Sequence, residues 1–351
     1  EIATGDNCLI LYTSGSTGRP RGVTLSHGNL AANTEQILAY LQLNQDDRIM
    51  AVLPFHYSFG NSLLMTHVAV GGQVVIDNRF AYPHAVLETM SRNEATGFSG
   101  VPSTYAILCA KTDFLTRDLP HLRMLTQAGG GMPPTLTRRV HDAFVGRAEL
   151  FVMYGQTEAS ARLSYVPPAR LLEKLGSIGL GIPGVELSVV RGDGTACDVD
   201  EVGEVVARGD NIMQGYWNDP QETALVLKDR TLHTGDLGRK DSDGFIFLVD
   251  RKKNMIKAGA NRVSAKEVED TICEVDGVAE ACVVGVPDEM LGEAIVAHVV
   301  PVPAADLDEP RILSHLHDRL ALFKIPSRIV FRDDLPRNSA GKVLKGKLKE
   351  G

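Results

Sequence analysis

The sequence predicts an α/β unit followed by a separate, smaller α+β unit. Three observations carry that expectation. Apolar β-type runs alternate with helical runs through roughly the first 150 residues, the signature of a sheet with helices on its faces. From Val185 to about Phe247 the chain turns to short β-rich runs broken by Gly and Asp, as in "VVRGDGTACD" and "DSDGF", which indicates a small β subdomain. After Asp250-Arg251-Lys252-Lys253 the pattern changes again. A chain of 351 residues has room for two or three domains at ~100–200 residues each.

In order, Cys8-Leu9-Ile10-Leu11-Tyr12 reads as a buried strand, and Ser26 as the N-cap of a helix from His27 to Leu41, since a hydroxyl there can accept from an orphan N–H of the first turn. Ile49–Leu53, Gln73–Ile76, Gly97–Phe98 and Leu150–Met153 read as strands, and Ala85–Arg92 and Leu136–Phe144 as helices. In the last hundred residues or so, Met255–Val263 reads as a hairpin, and Ser264-Ala265-Lys266-Glu267 as a capping box opening a helix. Strand-like runs follow at 281–286 and 294–300, then a helical run at 310–320 and a strand near Ile329. There is no internal repeat or low-complexity tract.

Composition excludes several classes. The formal net charge of −8 argues against a nucleic-acid-binding surface as the main feature. No apolar run approaches the ~20 residues of a membrane span, and the N-terminus lacks the basic-then-apolar pattern of a signal peptide. Cys8, Cys109, Cys197, Cys273 and Cys282 are scattered, without a Cys-x-x-Cys. They read as buried thiols of a protein in the reducing cytoplasm.

One loop asks for an anion. "YTSGSTGRPRG", Tyr12 to Gly22, holds glycines and hydroxyls between an apolar run and a helix, so backbone N–H groups and a helix N-terminus could turn towards phosphate. Composition alone favours a plain connector. A P-loop NTPase is disfavoured, because Pro20 and Arg21 stand where the Gly-Lys of Walker A would be needed. Gly15-Ser16-Thr17-Gly18 likewise fails the Gly-x-Ser-x-Gly pattern of a serine hydrolase.

Read together, the motifs resemble the adenylate-forming enzymes: acyl- and aryl-CoA synthetases, peptide-synthetase adenylation domains and firefly-type luciferases. The opening loop matches their Ser/Thr-Gly-rich signature, with Arg21 in place of the usual lysine. Tyr154-Gly155-Gln156-Thr157-Glu158 matches the second signature and Thr234-Gly235-Asp236 the third. Asp250-Arg251-Lys252-Lys253 matches the hinge, and Pro336-Arg337-Asn338-Ser339-Ala340-Gly341-Lys342 the segment of the catalytic lysine. The resemblance runs from end to end. It implies a large N-terminal domain of α/β sheets plus a β subdomain, residues 1–250, and a mobile α+β lid, residues 251–351. It also implies a long further stretch before the glycine-rich loop, which this sequence lacks, so the large domain is expected to be truncated.

The implied activity is that of an acyl-CoA synthetase: a carboxylate attacks the α-phosphorus of ATP, and CoA then displaces AMP from the acyl-adenylate. An acyl carrier protein is the alternative acceptor, and a catalytically inactive nucleotide-binding fragment the alternative outside enzymes. The resemblance assigns Thr13, Ser14, Gly15, Ser16, Thr17, Gly18 and Arg21 to the leaving phosphates, where arginine offers a planar fork instead of a point charge. Thr157 would bond the α-phosphate and Glu158 would hold Mg²⁺, which takes few carboxylates alongside phosphate oxygens. Gly129, Gly130, Gly131 and Tyr154, with Gly155 and Gln156, would surround the nucleotide, and Asp236 and Arg251 the ribose. Lys342 would bridge carboxylate and α-phosphate once the lid closes, and the hairpin Ala258–Arg262 would line the thiol tunnel. His56 resembles the family histidine beside the acyl pocket, but a packed core histidine reads as well.

For the acid, Phe59 stands where amino-acid activators keep an aspartate, with uncharged Ser58, Gly60 and Asn61 beside it. An unpaired ammonium would be costly there, so an α-amino acid is disfavoured. Gly60 and Gly100 are expected to leave space, and Val101, Pro102 and Tyr105 to wall it. Fatty, aryl and small branched acids stay open.

Overall fold

The computed structural model describes residues 2–13, 20–251, 255–259, 261–303, 305–338, 341 and 343–349. The parallel heart of the main sheet is made of strands Gln73–Ile76, Arg48–Ala51, Gly97–Gly100, Met124–Gln127 and Glu149–Tyr154, in that spatial order. Every residue of Gly97–Gly100 and Met124–Gln127 is buried, as expected of parallel strands covered on both faces.

Alternation divides the core in two. Ile49, Met124 and Phe151 face one layer, with Ile37 and Leu41 of helix α1 (His27–Leu41) and Leu63 of α2 (Ser58–Ala69). Met50, Leu125 and Leu150 face the other, with Leu87 of α3 (Pro83–Arg92), Leu108 of α4 (Pro102–Lys111) and Val140 of α5 (Pro134–Phe144). The period of two in a strand produces this split.

The β-rich segment is not a sheet of its own. Strands Ser164–Val166, Ser177–Gly181, Ile246–Arg251, Thr231–Lys240, Gly203–Arg208 and Glu186–Val190 continue the same twelve-stranded sheet in antiparallel pairing. In this half Asp236 pairs with Arg251, and a bulge separates Leu237 from Gly238.

The glycine-rich loop also departs from expectation. It joins two antiparallel strands, Asn7–Thr13 and Arg21–Ser26, with Thr13 opposite Arg21. The helix begins only after the second strand, so its N-terminus is separated from the loop. Ser26 caps α1 as expected, in a reciprocal capping box with Asn29.

The last strands form a separate sheet. The hairpin Ile256–Ala258 and Asn261–Val263 lies beside the long pair Val278–Asp288 and Gly292–Pro301, and Arg328–Phe331 joins in parallel. Ile272 of α6 (Ala265–Ile272) and Ile312 and Leu316 of α7 (Glu309–His317) close its core. At Ser264 half of the expected box is present: its Oγ accepts from the Glu267 N–H at 3.1 Å, while the Glu267 carboxylate pairs with Lys324 at 2.6 Å.

Among the described residues no helix is long and apolar enough to cross a membrane. Cys109, Cys197 and Cys282 are buried, but Cys8 is exposed and Cys273 half-buried, which corrects the expectation of five buried thiols. Burial pushes the Cys109 thiol up to about 11 and the Cys282 thiol up to about 12.

Candidate active site

The expected site residues that fall among the described ones lie towards the carboxyl ends of the parallel strands, where open α/β sheets bind ligands. Strand Glu149–Tyr154 runs into a sharp reversal. A Cβ on Gly155 would lie 1.9 Å from the Ala161 carbonyl oxygen, so glycine alone fits. The next residues form a single turn, Thr157–Ala159, which ends at Ser160 with φ +63°. The Ser160 hydroxyl secures the reversal by donating to the Asn211 carbonyl at 2.7 Å.

Tyr154, Asp236 and Arg251 form one constellation. The Tyr154 hydroxyl donates to Asp236 Oδ2 at 2.6 Å, and Arg251 Nε donates to Oδ1 at 2.7 Å. Burial, with the adjacent Asp236 carboxylate, holds the Tyr154 phenol well above its usual range. The Thr-Gly-Asp motif shapes this corner: Gly235 has φ +73°, and the Thr234 hydroxyl accepts from the Asp236 N–H at 3.1 Å and donates to the Val205 carbonyl at 2.7 Å.

A second group joins Glu158 to Arg21. The Tyr216 hydroxyl donates to Glu158 Oε1 at 2.9 Å, and the Arg21 guanidinium lies 5.3 Å from the Tyr216 ring centroid. Arg21 is itself paired with Glu222 at 2.5 Å. Tyr216 and Glu222 are missed by sequence reasoning, because neither lies in a recognised motif. Thr13 is described at the strand end opposite Arg21. Ser14, Gly15, Ser16, Thr17 and Gly18 lie outside the described residues, as does Lys342.

Thr157 Oγ1 and Ser58 Oγ stand 3.3 Å apart, which ties the turn to the start of α2. Gln156 is half-buried beside it. Gly129, Gly130 and Gly131 are exposed at the end of strand Met124–Gln127. Gly129 has φ +85°, and Gly130 accepts from the Gln127 side-chain amide at 2.8 Å. Gln127, also missed from sequence, keeps its buried Oε1 without a hydrogen bond.

The lysine segment docks on α4. The Ser103 hydroxyl donates to the Gly341 carbonyl at 3.0 Å, and Arg337 Nη1 donates to the same oxygen at 3.3 Å.

The expected acyl pocket needs correction. A Cβ on Gly60 would stand 2.2 Å from the Pro54 carbonyl oxygen, and one on Gly100 would stand 2.8 Å from Thr104 Cγ2. These glycines permit close packing and open no space. Tyr105 is fully buried in the core, its hydroxyl donating to the Thr126 carbonyl at 2.9 Å. His56 is exposed against Tyr57, not packed in the core. Phe59 is half-buried, with the Arg162 guanidinium 4.6 Å from its ring centroid.

Among the described residues no cluster of three or more His, Cys, Asp or Glu could hold a metal ion. A lone carboxylate at Glu158 suits a divalent cation that brings phosphate oxygens with it, and does not suit an all-protein cage.

Comparison with known proteins agrees in extent. The AMP-binding enzyme family matches residues 1–217, and the AMP-binding enzyme C-terminal domain matches residues 267–342. A feruloyl-CoA synthase of an Amycolatopsis species is 36% identical over 350 residues, 99% of this chain and 70% of the relative. An indoleacetate–CoA ligase of Aromatoleum aromaticum is 37% identical, over 97% of this chain and 66% of the relative. The structure of o-succinylbenzoate CoA synthetase from Bacillus subtilis, in complex with its acyl-adenylate intermediate, superposes with a TM-score of 0.87. It is 31% identical and covers 100% of this chain, which spans 70% of it.

Proposed function

The chain belongs to the AMP-binding enzymes, and we propose that it activates a carboxylic acid with ATP and transfers the acyl group to coenzyme A. In the first step a carboxylate oxygen bonds to the α-phosphorus and the bond to the β-phosphate breaks, releasing pyrophosphate. In the second the thiolate sulfur bonds to the acyl carbon and AMP leaves.

The observation that carries this reading is the Tyr154–Asp236–Arg251 constellation beside the Thr157–Glu158 turn. Asp236, fixed from two sides, can still accept through its remaining lone pairs, which suits a ribose diol. Arg21 and the glycine-rich loop supply cation and donors for the departing pyrophosphate, as preorganised electrostatics. Glu158 presents an oxygen beyond the one Tyr216 engages, for Mg²⁺ carried on the nucleotide, which would neutralise phosphate charge. Residues 1–250 then hold ATP and acid, and residues 251–351 act as the lid that brings Lys342 to the reacting atoms.

Coenzyme A is the acceptor in the named relatives, so it is preferred here over a carrier protein. Acid-dependent ATP–pyrophosphate exchange, followed by thioester formation with CoA, tests the reading. Failure of every carboxylic acid in a protein that binds ATP would overturn it.

A further inference from the structure

Two cations are buried among the described residues, Lys174 and Arg162. Lys174 is compensated by Asp241 and Asp243, at 2.9 and 2.6 Å. Arg162 is 2% exposed, and no carboxylate of the described residues pairs with it. Its Nε has no hydrogen-bond partner, Nη2 reaches the Ser62 hydroxyl at 3.5 Å, and the Tyr40 phenol that the guanidinium also meets is held neutral by burial and brings no charge. A buried guanidinium needs an anion to offset its lost hydration, and a planar fork matches a carboxylate well.

The location says what that anion is. Arg162 lies on the same reversal as Glu158, four residues further on, and lies against the first turns of α2 through Phe59 and Ser62. The start of that helix, at Ser58, touches Thr157. Ser58 and Ser62 are one turn apart, about 6 Å along the axis. The half-buried Phe59 ring lies over the guanidinium. The wall that runs from Thr157 along α2 therefore ends in an uncompensated positive charge.

We propose that Arg162 receives a second anionic group on the acid substrate. The substrate class is a dicarboxylic acid, or an acid with an equivalent terminal anion, whose far group stands about one helical turn from the reacting carboxylate. This rests on the reading of the chain as an acid-activating ligase. It also gives the disfavoured α-amino acid a second obstacle, since a fixed cation repels an ammonium.

The test uses the whole natural polypeptide and acid pairs that differ only at the far end: hexanoate against adipate, heptanoate against pimelate, benzoate against terephthalate. In pyrophosphate exchange the diacid of at least one pair should have a kcat/KM about a hundredfold higher, because a site built for a charged partner rejects the analogue that lacks it. Arg162→Met should reverse the order, and Arg162→Lys should keep part of it. Monoacids equal to or better than diacids in every pair would overturn the proposal. So would an unchanged preference in Arg162→Met, the result expected where an acidic side chain outside these residues pairs with Arg162. Heat protection gives a reading independent of turnover. Protection by a diacid, absent for its monoacid and lost in Arg162→Met, supports the site even with exchange silent, whereas equal protection overturns it. Should the variant fail to fold, the wild-type pairs decide.

Discussion

The Ser103 hydroxyl meets the Gly341 carbonyl at 3.0 Å, joining the first turn of α4 to the residue just before Lys342. This bond holds the lysine segment against the large unit. Ser103→Ala removes it at a net cost of ~0.5–1.5 kcal/mol. Pyrophosphate exchange should fall about two- to tenfold, while thioester formation from supplied acyl-AMP should not fall. Equal losses in both assays would show that the contact does not distinguish the half-reactions.

Lys342 and the hairpin at Gly259 lie on different parts of the lid sequence, so each half-reaction is expected to use its own lid orientation. Lys342→Ala should lose adenylation and still convert acyl-AMP and CoA to thioester. Lys253→Pro, which fixes φ in the expected hinge, should do the reverse. Lys253, like Lys342, lies outside the described residues. Parallel loss of both activities in both variants would count against two orientations.

Tyr154→Phe deletes the donor 2.6 Å from Asp236 and leaves a buried carboxylate oxygen unpaired. A hydrogen bond to a charged group contributes ~1.5–3 kcal/mol, so KM for ATP should rise about ten- to a hundredfold. The acid KM should move little. Steady-state kinetics with each substrate varied in turn check both expectations.

Glu158→Ala should abolish exchange, by about a thousandfold or more, in a protein with an unchanged circular dichroism spectrum, if the carboxylate holds the nucleotide's cation. Tyr216→Phe, which only frees Glu158 Oε1, should cost much less. A fully active, folded Glu158→Ala protein would remove the metal assignment.

His67 carries the pH prediction. Burial holds its imidazole below the usual range; Nδ1 lies 2.9 Å from the Leu63 carbonyl and Nε2 has no partner. The unfolded chain therefore takes up a proton near pH 6.5 that the folded chain refuses. The stability present above that pH is lost as pH falls through the lowered folded value. Tm should drop between pH 7 and 5, and less steeply in His67→Gln.

Much of the fold was legible because its signals are local. Met50 and Ile49, or Leu150 and Phe151, alternate between two cores, and that alternation is visible in one dimension. Helix α2 was not, since Ser58, Gly60 and Asn61 break its apolar face and read as pocket lining. What makes Gly60 necessary is the Pro54 carbonyl, a contact at the helix's own entry that composition does not encode. The antiparallel pairing of the two strands that flank the glycine-rich loop was also hidden, because "PRGVTLS" carries no turn between its strand and the helix cap. The sequence could name candidates only within motifs; Tyr216, Glu222, Gln127 and Arg162 lie outside them, since what marks each is a partner distant in sequence or a missing one.

The bulge between Leu237 and Gly238 has a consequence for how this protein can change. Asp236 precedes it, directly across from Arg251, while the pairing beyond it is offset by one residue. A one-residue slip in a strand turns every side chain to the opposite face. Loops such as that around Asp193 and Gly194 can therefore gain or lose residues over time, but the stretch Thr231–Lys240 works as a ruler whose length is not negotiable. Lineages of this chain should accumulate insertions at the rim of the antiparallel half and almost none within that strand.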